Sequence, residues 1–479
     1  MRKKVVQMSL LDTYHNVEEH LQSNKPELFK LLDEHLDWDE IIPDTFYLAF
    51  HKRSGRNRKY KLESFMRALF LQRIFHYVED SQLLNTLRFS FEMRDYCGFS
   101  NVPDPSKLTR FKQDFCDHIR NVFERLVDLT EPICHEMNNA LADMLLYDTT
   151  GIESYVAENN PKFLRAKEQQ SKFISKADPS FDPSGSGVCL LPKVSASNGA
   201  VKYQYINGHF CYAQKAAVIT NGLGIVRHLE LFDEDFKQSH PEMLVEKRTN
   251  TPELDKEIGD STSLKPVLLD FQAAHPDLSY STFTADAAFD SYENYRFLLG
   301  DYSFSKVVIP LNPRSGLPAA DVGFNEQGTP LCPRDGTPFL FNSKSRDKSR
   351  ALRFKYTCPK TKWVPTERGN TKRCFCDTPC SDSAYGKCIY VYPDKNLRLY
   401  PGLSRDSDEF STIYNRRSCV ERSINTLKDT LGLANRKTSN VLTTKADLFL
   451  SGIVQLLCVL LASKLHDEKL ARRPRRLIA

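Results

Sequence analysis

Two short apolar runs, 143–148 and 280–286, do most to limit how this chain can fold. The first reads Asp-Met-Leu-Leu-Tyr-Asp and the second Tyr-Ser-Thr-Phe-Thr-Ala-Asp. Each has strand length, ends on an acid and is followed by turn residues, the pattern of a buried strand. Further strand signals fall at 203–206, 211–219, 224–231 and 305–311, and helical patterns at 266–274 and 292–299. Strands alternating with helices predict a mixed α/β sheet. The residues at 158–188 and 232–262 are polar and read as loops, the second with some helix.

A third stretch, 413–428, contains neither Pro nor Gly and predicts a helix. Tyr414, Arg417, Glu421 and Lys428 stand at relative positions 0, 3, 7 and 14, along one face at 3.6 residues per turn. Ile413, Cys419, Val420, Ile424 and Leu427 form the opposite, apolar face. Alone, such a row describes a solvated helix laced with i,i+3 and i,i+4 ion pairs. The two strand-end acids give it a second meaning. Asp148, Asp286 and Glu421 together could surround a pair of divalent cations, as in two-metal phosphoryl transfer. Hard Mg²⁺ or Mn²⁺ prefers oxygen ligands and keeps several waters, so three carboxylates can suffice. Arg417 and Lys428 could supply cations for the charge on the phosphoryl oxygens. Asp290 and Glu293, in the turn and helix after the second run, are secondary candidates. His209 near Cys211 reads as a strand residue rather than half of a Cys/His nucleophile. The chain carries no Walker loop, dinucleotide glycine fingerprint, Gly-x-Ser-x-Gly elbow or His-Glu-x-x-His.

The remaining segments set the domain organisation. Residues 1–140 predict an all-helical N-terminal domain, with amphipathic helices at 27–36, 63–78, 107–115 and 116–137. Asp104-Pro-Ser106 supplies cap chemistry before the third of these. Residues 141–311 predict the first part of the α/β core, 312–400 an insertion that interrupts it, 401–468 its C-terminal helices and 469–479 a basic tail. The run 446–463 reads as a buried core helix, because Asp447, Gly452 and Gln455 interrupt it and no membrane span is expected. The formal net charge is only +5, but it is unevenly placed. Residues 51–61 hold Lys52, Arg53, Arg56, Arg58, Lys59 and Lys61 without an acid, while 326–388 carry thirteen Lys/Arg against six Asp/Glu. Basic patches on a near-neutral chain suit a polyanion. Thirteen cysteines without secretory features predict reduced thiols in the cytoplasm.

The spacing Tyr414-x2-Arg417-x3-Glu421-x6-Lys428 resembles the Tyr-Arg-Glu-Lys signature of bacterial insertion-sequence DDE transposases. Leu145-Leu-Tyr-Asp148-Thr-Thr is similar to their first-strand motif. Thr284-Ala-Asp286-Ala-Ala-Phe-Asp-Ser291 is similar to their second, with Ala287-Ala288 in place of the more usual Lys-Gly. Residues 26–115, through Val102-Pro-Asp-Pro-Ser-Lys-Leu-Thr-Arg-Phe111, resemble the helical N-terminal domain common to these enzymes. The resemblance implies an RNase H-like core with an insertion before the Glu421 helix. It implies Mg²⁺- or Mn²⁺-dependent cleavage and strand transfer at the terminal inverted repeats of an insertion sequence. It assigns Asp148, Asp286 and Glu421 to the metals, and Tyr414, Arg417 and Lys428 to DNA. Double-stranded element-end and target DNA would be the partners, with a homodimer joining two ends. The basic loop holding Lys52, Arg53, Arg56 and Arg58 would add DNA contacts. An inactive DNA-binding repressor of transposase origin, or an RNase H-like nuclease of another role, would share these motifs.

Six cysteines cluster in the insertion: Cys332, Cys358, Cys374, Cys376, Cys380 and Cys388. They could supply a four-thiolate zinc site. Cys332-Pro and Cys358-Pro resemble halves of ribbon knuckles, but each lacks the second cysteine of a CxxC pair. The alternative is a β-rich, basic insertion with free thiols.

Overall fold

The computed structural model describes residues 9, 11, 25–51, 58–178, 180, 190–245, 257–312, 323–325, 327–367, 369–392, 397–398 and 401–478. Its contacts divide the chain into two compact units, residues 134–424 and residues 1–133 with 425–479.

Residues 134–424 are built on one mixed sheet. Strand β1 (Met144–Glu153) pairs antiparallel with β3 (His209–Asn221). The first part of β3 takes β2 (Lys202–Ile206) on its other edge, and the later part takes β4 (Val226–Leu231). On its far side β1 pairs in parallel with β5 (Thr282–Thr284), which pairs in parallel with β6 (Lys306–Val308). Three antiparallel neighbours thus continue into two parallel ones.

Alternation along β1 sends its residues to opposite faces. Leu145 and Tyr147 join Phe283 and Val307 in a core with Leu264, Val267 and Phe271 of the helix Asp260–Ala274. Met144, with Val308, packs on the other face against Phe410 and Ile413 of the helix Asp408–Tyr414. Burial from both sides explains why these strands read as continuous apolar runs.

Two stretches differ from expectation. Residues 161–177, read as loop, form the helix Pro161–Ala177. Asn160 caps it by accepting from the Lys162 N–H at 2.9 Å, and Pro161 stands at its first position. Beyond that the segment is rich in Lys, Gln, Ala and other strong helix formers, and its polarity hid the periodicity. The helix Asp260–Ala274 begins six residues before Pro266, which it accommodates within its length.

The insertion is β-structured. Strands β7 (Leu340–Arg346), β8 (Leu352–Thr357) and β11 (Cys388–Val391) form one antiparallel sheet with β8 central. Strands β9 (Thr361–Thr366) and β10 (Gly369–Cys374) form a separate hairpin.

The other unit is helical. Its helices include Glu27–His35, Asp44–Phe50, Leu62–Ile74, Asp80–Phe89 and Pro105–Asp114. Asp104 caps the last of these by accepting from the Ser106 N–H at 2.9 Å. Phe46, Phe50, Phe65, Phe111 and Phe115 form an aromatic centre, with Phe65 and Phe111 stacked at 4.7 Å between centroids. The helix Val441–Lys464 is long and apolar enough to cross a membrane by length and composition, but 89% of its most apolar window is buried within the protein. Contacts group this helix with the N-terminal helices rather than with the sheet, a different division from the one drawn at 401–468. Residues 469–478 are ordered as the end of a short helix, Glu468–Arg472, and a 3₁₀ turn, Pro474–Ile478, rather than extending as a tail.

Candidate metal centre

Asp148 does not end its strand. β1 continues to Glu153, because Thr149 and the residues after it keep pairing with β3, and Asp148 lies opposite Val218. It is an end only on the β5 side. The parallel ladder stops at the pair Leu146–Thr284, and Asp148 and Asp286 each lie two residues beyond it. A shared register with a period of two puts both acids at neighbouring places on the same face. The register is held further back, where the Asp143 carboxylate accepts from the Ser281 N–H at 2.8 Å and its hydroxyl at 2.5 Å. Sequence reasoning passes over Asp143 because its role depends on a partner 138 residues away.

Asp286 also caps the 3₁₀ turn Ala287–Phe289, accepting from the Ala288 N–H at 2.8 Å. The Ala287-Ala288 pair is thus accommodated in a capped turn.

The predicted single helix over 413–428 is broken. The helix Asp408–Tyr414 passes into a 3₁₀ turn, Asn415–Arg417, then the helix Ser418–Asn425 and a π-helical turn, Thr426–Thr430, which carries Lys428. Ile413, Cys419, Val420 and Ile424 are buried as their spacing predicted. From the 3₁₀ turn, Arg417 reaches all three acids. Its Nη1 lies 2.8 Å from Glu421 Oε1, and its Nη2 lies 3.6 Å from Asp148 Oδ2 and 3.5 Å from Asp286 Oδ2. A solvated helix face would show the Arg417–Glu421 pair alone. Contacts to two acids from the sheet require a helix docked over it.

The electrostatics follow from crowding. Burial pushes the Asp148 carboxyl up to about 6; Asp286 and Glu421 add to the rise and Arg417 opposes it. Burial alone would lower the Arg417 pKa, but the three carboxylates raise it. Burial raises the Tyr414 hydroxyl, whose ring stacks on Phe410 at 6.1 Å. The three carboxylates are not all within 4.8 Å of one another; each turns toward the guanidinium. Three carboxylates against one guanidinium leave a formal charge of −2 on an all-oxygen donor set, a fit for a hard divalent cation.

Asp290 is occupied elsewhere. It is buried and accepts from the Tyr295 hydroxyl at 3.0 Å, the Asn312 N–H at 2.8 Å and Arg398 Nε at 2.9 Å. A carboxylate so engaged is a structural anchor, which removes it as a metal candidate. Glu293 sits in the first turn of the helix Tyr292–Arg296. His209 lies on β3, with Nε2 3.1 Å from Glu153 Oε1. His209, Glu153 and Cys211 form the one set of three potential ligand atoms found within 4.8 Å of one another among the described residues.

Lys52, Arg53 and Arg56 lie outside the described residues. Arg58 is tied into its own unit: its Nε donates to the Phe50 carbonyl at 2.6 Å, and its guanidinium lies 4.5 Å from the Phe50 ring centroid. Lys59, Lys107 and Arg110 line the cavity beside it. The six cysteines of the insertion are all free thiols.

No curated protein sequence matches the chain. Among solved structures, a similarity is found to a piggyBac transposase synaptic complex with hairpin DNA. It has 11% identity and a TM-score of 0.28, and covers 94% of this chain and 84% of that one. A global likeness this low transfers neither fold nor function. A family model described as "Transposase domain (DUF772)" matches residues 15–114. Over that N-terminal segment, about a fifth of its length, the chain is similar to a transposase domain.

Proposed function

We propose that this protein is a DDE transposase that cleaves and joins DNA at the inverted repeats of an insertion sequence. The observation that carries the reading is the convergence of Asp148, Asp286 and Glu421 on Arg417. The sheet order, with β1 flanked by an antiparallel and a parallel neighbour, supports an RNase H-like core. The match of residues 15–114 to a transposase domain supports transposition over another nuclease role.

Asp148, Asp286 and Glu421 would hold Mg²⁺ or Mn²⁺. The bound cations would lower the pKa of a water or a DNA 3′-hydroxyl and stabilise the leaving oxygen of an in-line displacement. The rest falls to this chain's own side chains. Arg417 offsets one of the three acid charges before cations bind, and its planar fork suits a phosphate oxygen pair once they do. Tyr414, one turn before Arg417, and Lys428 would contact the DNA backbone. Lys59, Lys107 and Arg110 of the helical unit offer further phosphate contacts.

The test is cleavage and joining of a DNA carrying the element's inverted repeats in Mg²⁺, for the wild type and for Asp148→Ala, Asp286→Ala and Glu421→Ala. Each variant is expected to lose both reactions while still binding the repeats. Undiminished cleavage by all three would reject the assignment, and nicked DNA without joined product would point to a nuclease.

A further inference from the structure

The insertion has a small apolar centre of its own. Phe339, Phe354, Tyr356 and Val391 are buried together with Cys332 and Cys358, and Cys374 and Cys380 pack against them. A two-stranded hairpin is marginal by itself, and a core this small commonly needs a cross-link.

Four separate segments deliver those cysteines. Cys332 opens a turn in which it accepts from the Gly336 N–H at 2.9 Å and donates to the Thr337 carbonyl at 2.8 Å. Cys358 leaves β8 into a turn closed by the Thr361 N–H at 3.3 Å. Cys374 ends β10, where its N–H donates to the Ala384 carbonyl at 2.9 Å. Cys380 follows in the next loop. The four side chains interact electrostatically with one another, Cys380 with Cys332, and Cys358 with both Cys374 and Cys380. All four line one cavity. At Gly386, which has φ +76°, a Cβ would stand 3.3 Å from that of Cys358 and 3.5 Å from that of Cys374. Glycine there lets the chain close over the thiols.

Cys376 lines the same cavity but lies outside the apolar cluster and interacts with Lys360, and Cys388 is exposed on β11.

We propose that Cys332, Cys358, Cys374 and Cys380 bind one structural zinc ion that cross-links the insertion. No three of the four sulfurs lie within 4.8 Å of one another. Zinc would draw all four to a common centre, about 2.3 Å from each sulfur. Each thiol would release its proton to solvent on ligation, leaving a site of formal charge −2 beside Lys360 and Lys387, which line the same cavity.

The test uses the full chain, purified under reductant without chelator, with metal content measured by mass spectrometry. About one zinc per chain is expected. Cobalt in its place should give the absorption of a tetrahedral thiolate site. Cys358→Ser and Cys374→Ser should each lose the ion. Cys388→Ser should keep it, and so should the Asp148→Ala/Asp286→Ala double variant, which separates this site from the carboxylates. If the serine variants do not fold, the cobalt spectrum of the wild type decides. A zinc-free protein with reactive thiols, or Cys332–Cys380 and Cys358–Cys374 disulfides, would overturn the proposal. So would zinc lost on Cys211→Ser but kept on Cys358→Ser.

Discussion

Asp143 and Ser281 are clamped together five residues upstream of Asp148 and Asp286 respectively. The clamp fixes the parallel register of β1 with β5, and a one-residue slip would turn one acid to the opposite face. Asp143→Ala is therefore expected to lower the single-turnover cleavage rate by about tenfold to a hundredfold, with a modest stability loss of about 1–3 kcal/mol. Asp143→Asn should recover part of the rate. A full rate in Asp143→Ala would show that the register holds without the clamp.

Arg417 competes with any cation for the same three carboxylates. Its replacement by alanine should tighten Mn²⁺ binding by roughly tenfold, about 1.4 kcal/mol, in the protein without DNA. The same change should slow cleavage on the order of a hundredfold, because the fork proposed to hold phosphate is gone. Calorimetry reads the first effect and strand cleavage the second. Weaker Mn²⁺ binding would contradict the competition.

Gly224 closes the β3–β4 turn at φ +80°, where a Cβ would come 3.2 Å from the Cys419 carbonyl. Cys419 lies on the helix that carries Glu421. Gly224→Ala should strain the turn by roughly 1–2 kcal/mol and push that helix outward. Cleavage should fall although no proposed ligand is altered. A melting temperature and rate both equal to wild type would refute the close approach.

In the helical unit, Asp447 is fully buried among Arg73, Lys112 and Arg436, at 2.5, 3.4 and 3.1 Å. Burial alone would raise its carboxyl pKa; Arg436, Lys112 and Arg73 together hold it well below the usual range. Its contribution to stability is present in full above the unfolded-state pKa of about 4 and is lost progressively as the pH falls below that. Asp447→Asn should cost about 3–5 kcal/mol near neutrality by leaving buried cations unpaired, and should flatten the acid side of the stability curve. Denaturant titrations at several pH values check both. An unchanged acid slope would assign that dependence to other carboxylates.

Several features were legible before any coordinates. The buried strands around Asp148 and Asp286, the Asp104 cap and the apolar side of the Glu421 helix follow from local pattern, because burial leaves its period in the residues themselves. The helix Pro161–Ala177 was not legible as such, because its polar composition resembles that of a loop until the Asn160 cap and residue propensities are weighed. The break in 413–428 was hidden for a different reason. Tyr414, Arg417 and Glu421 share a face in an ideal helix, so the spacing does not distinguish a straight helix from one with a 3₁₀ turn at Asn415–Arg417. The Asp290 anchor was equally hidden, since its partners Arg398 and Asn312 lie far along the chain.

By itself the sequence determined which residues carry charge, that the apolar runs before Asp148 and Asp286 are strands, and which thiols stand close enough in the chain to be considered together. Those properties are local and follow from side-chain chemistry and periodicity. Tertiary structure decided that Asp148 and Asp286 share a register, that Arg417 joins them to Glu421, and that five of the insertion's six cysteines line one cavity. Each of these depends on chain closure over tens to hundreds of residues, which no local pattern records.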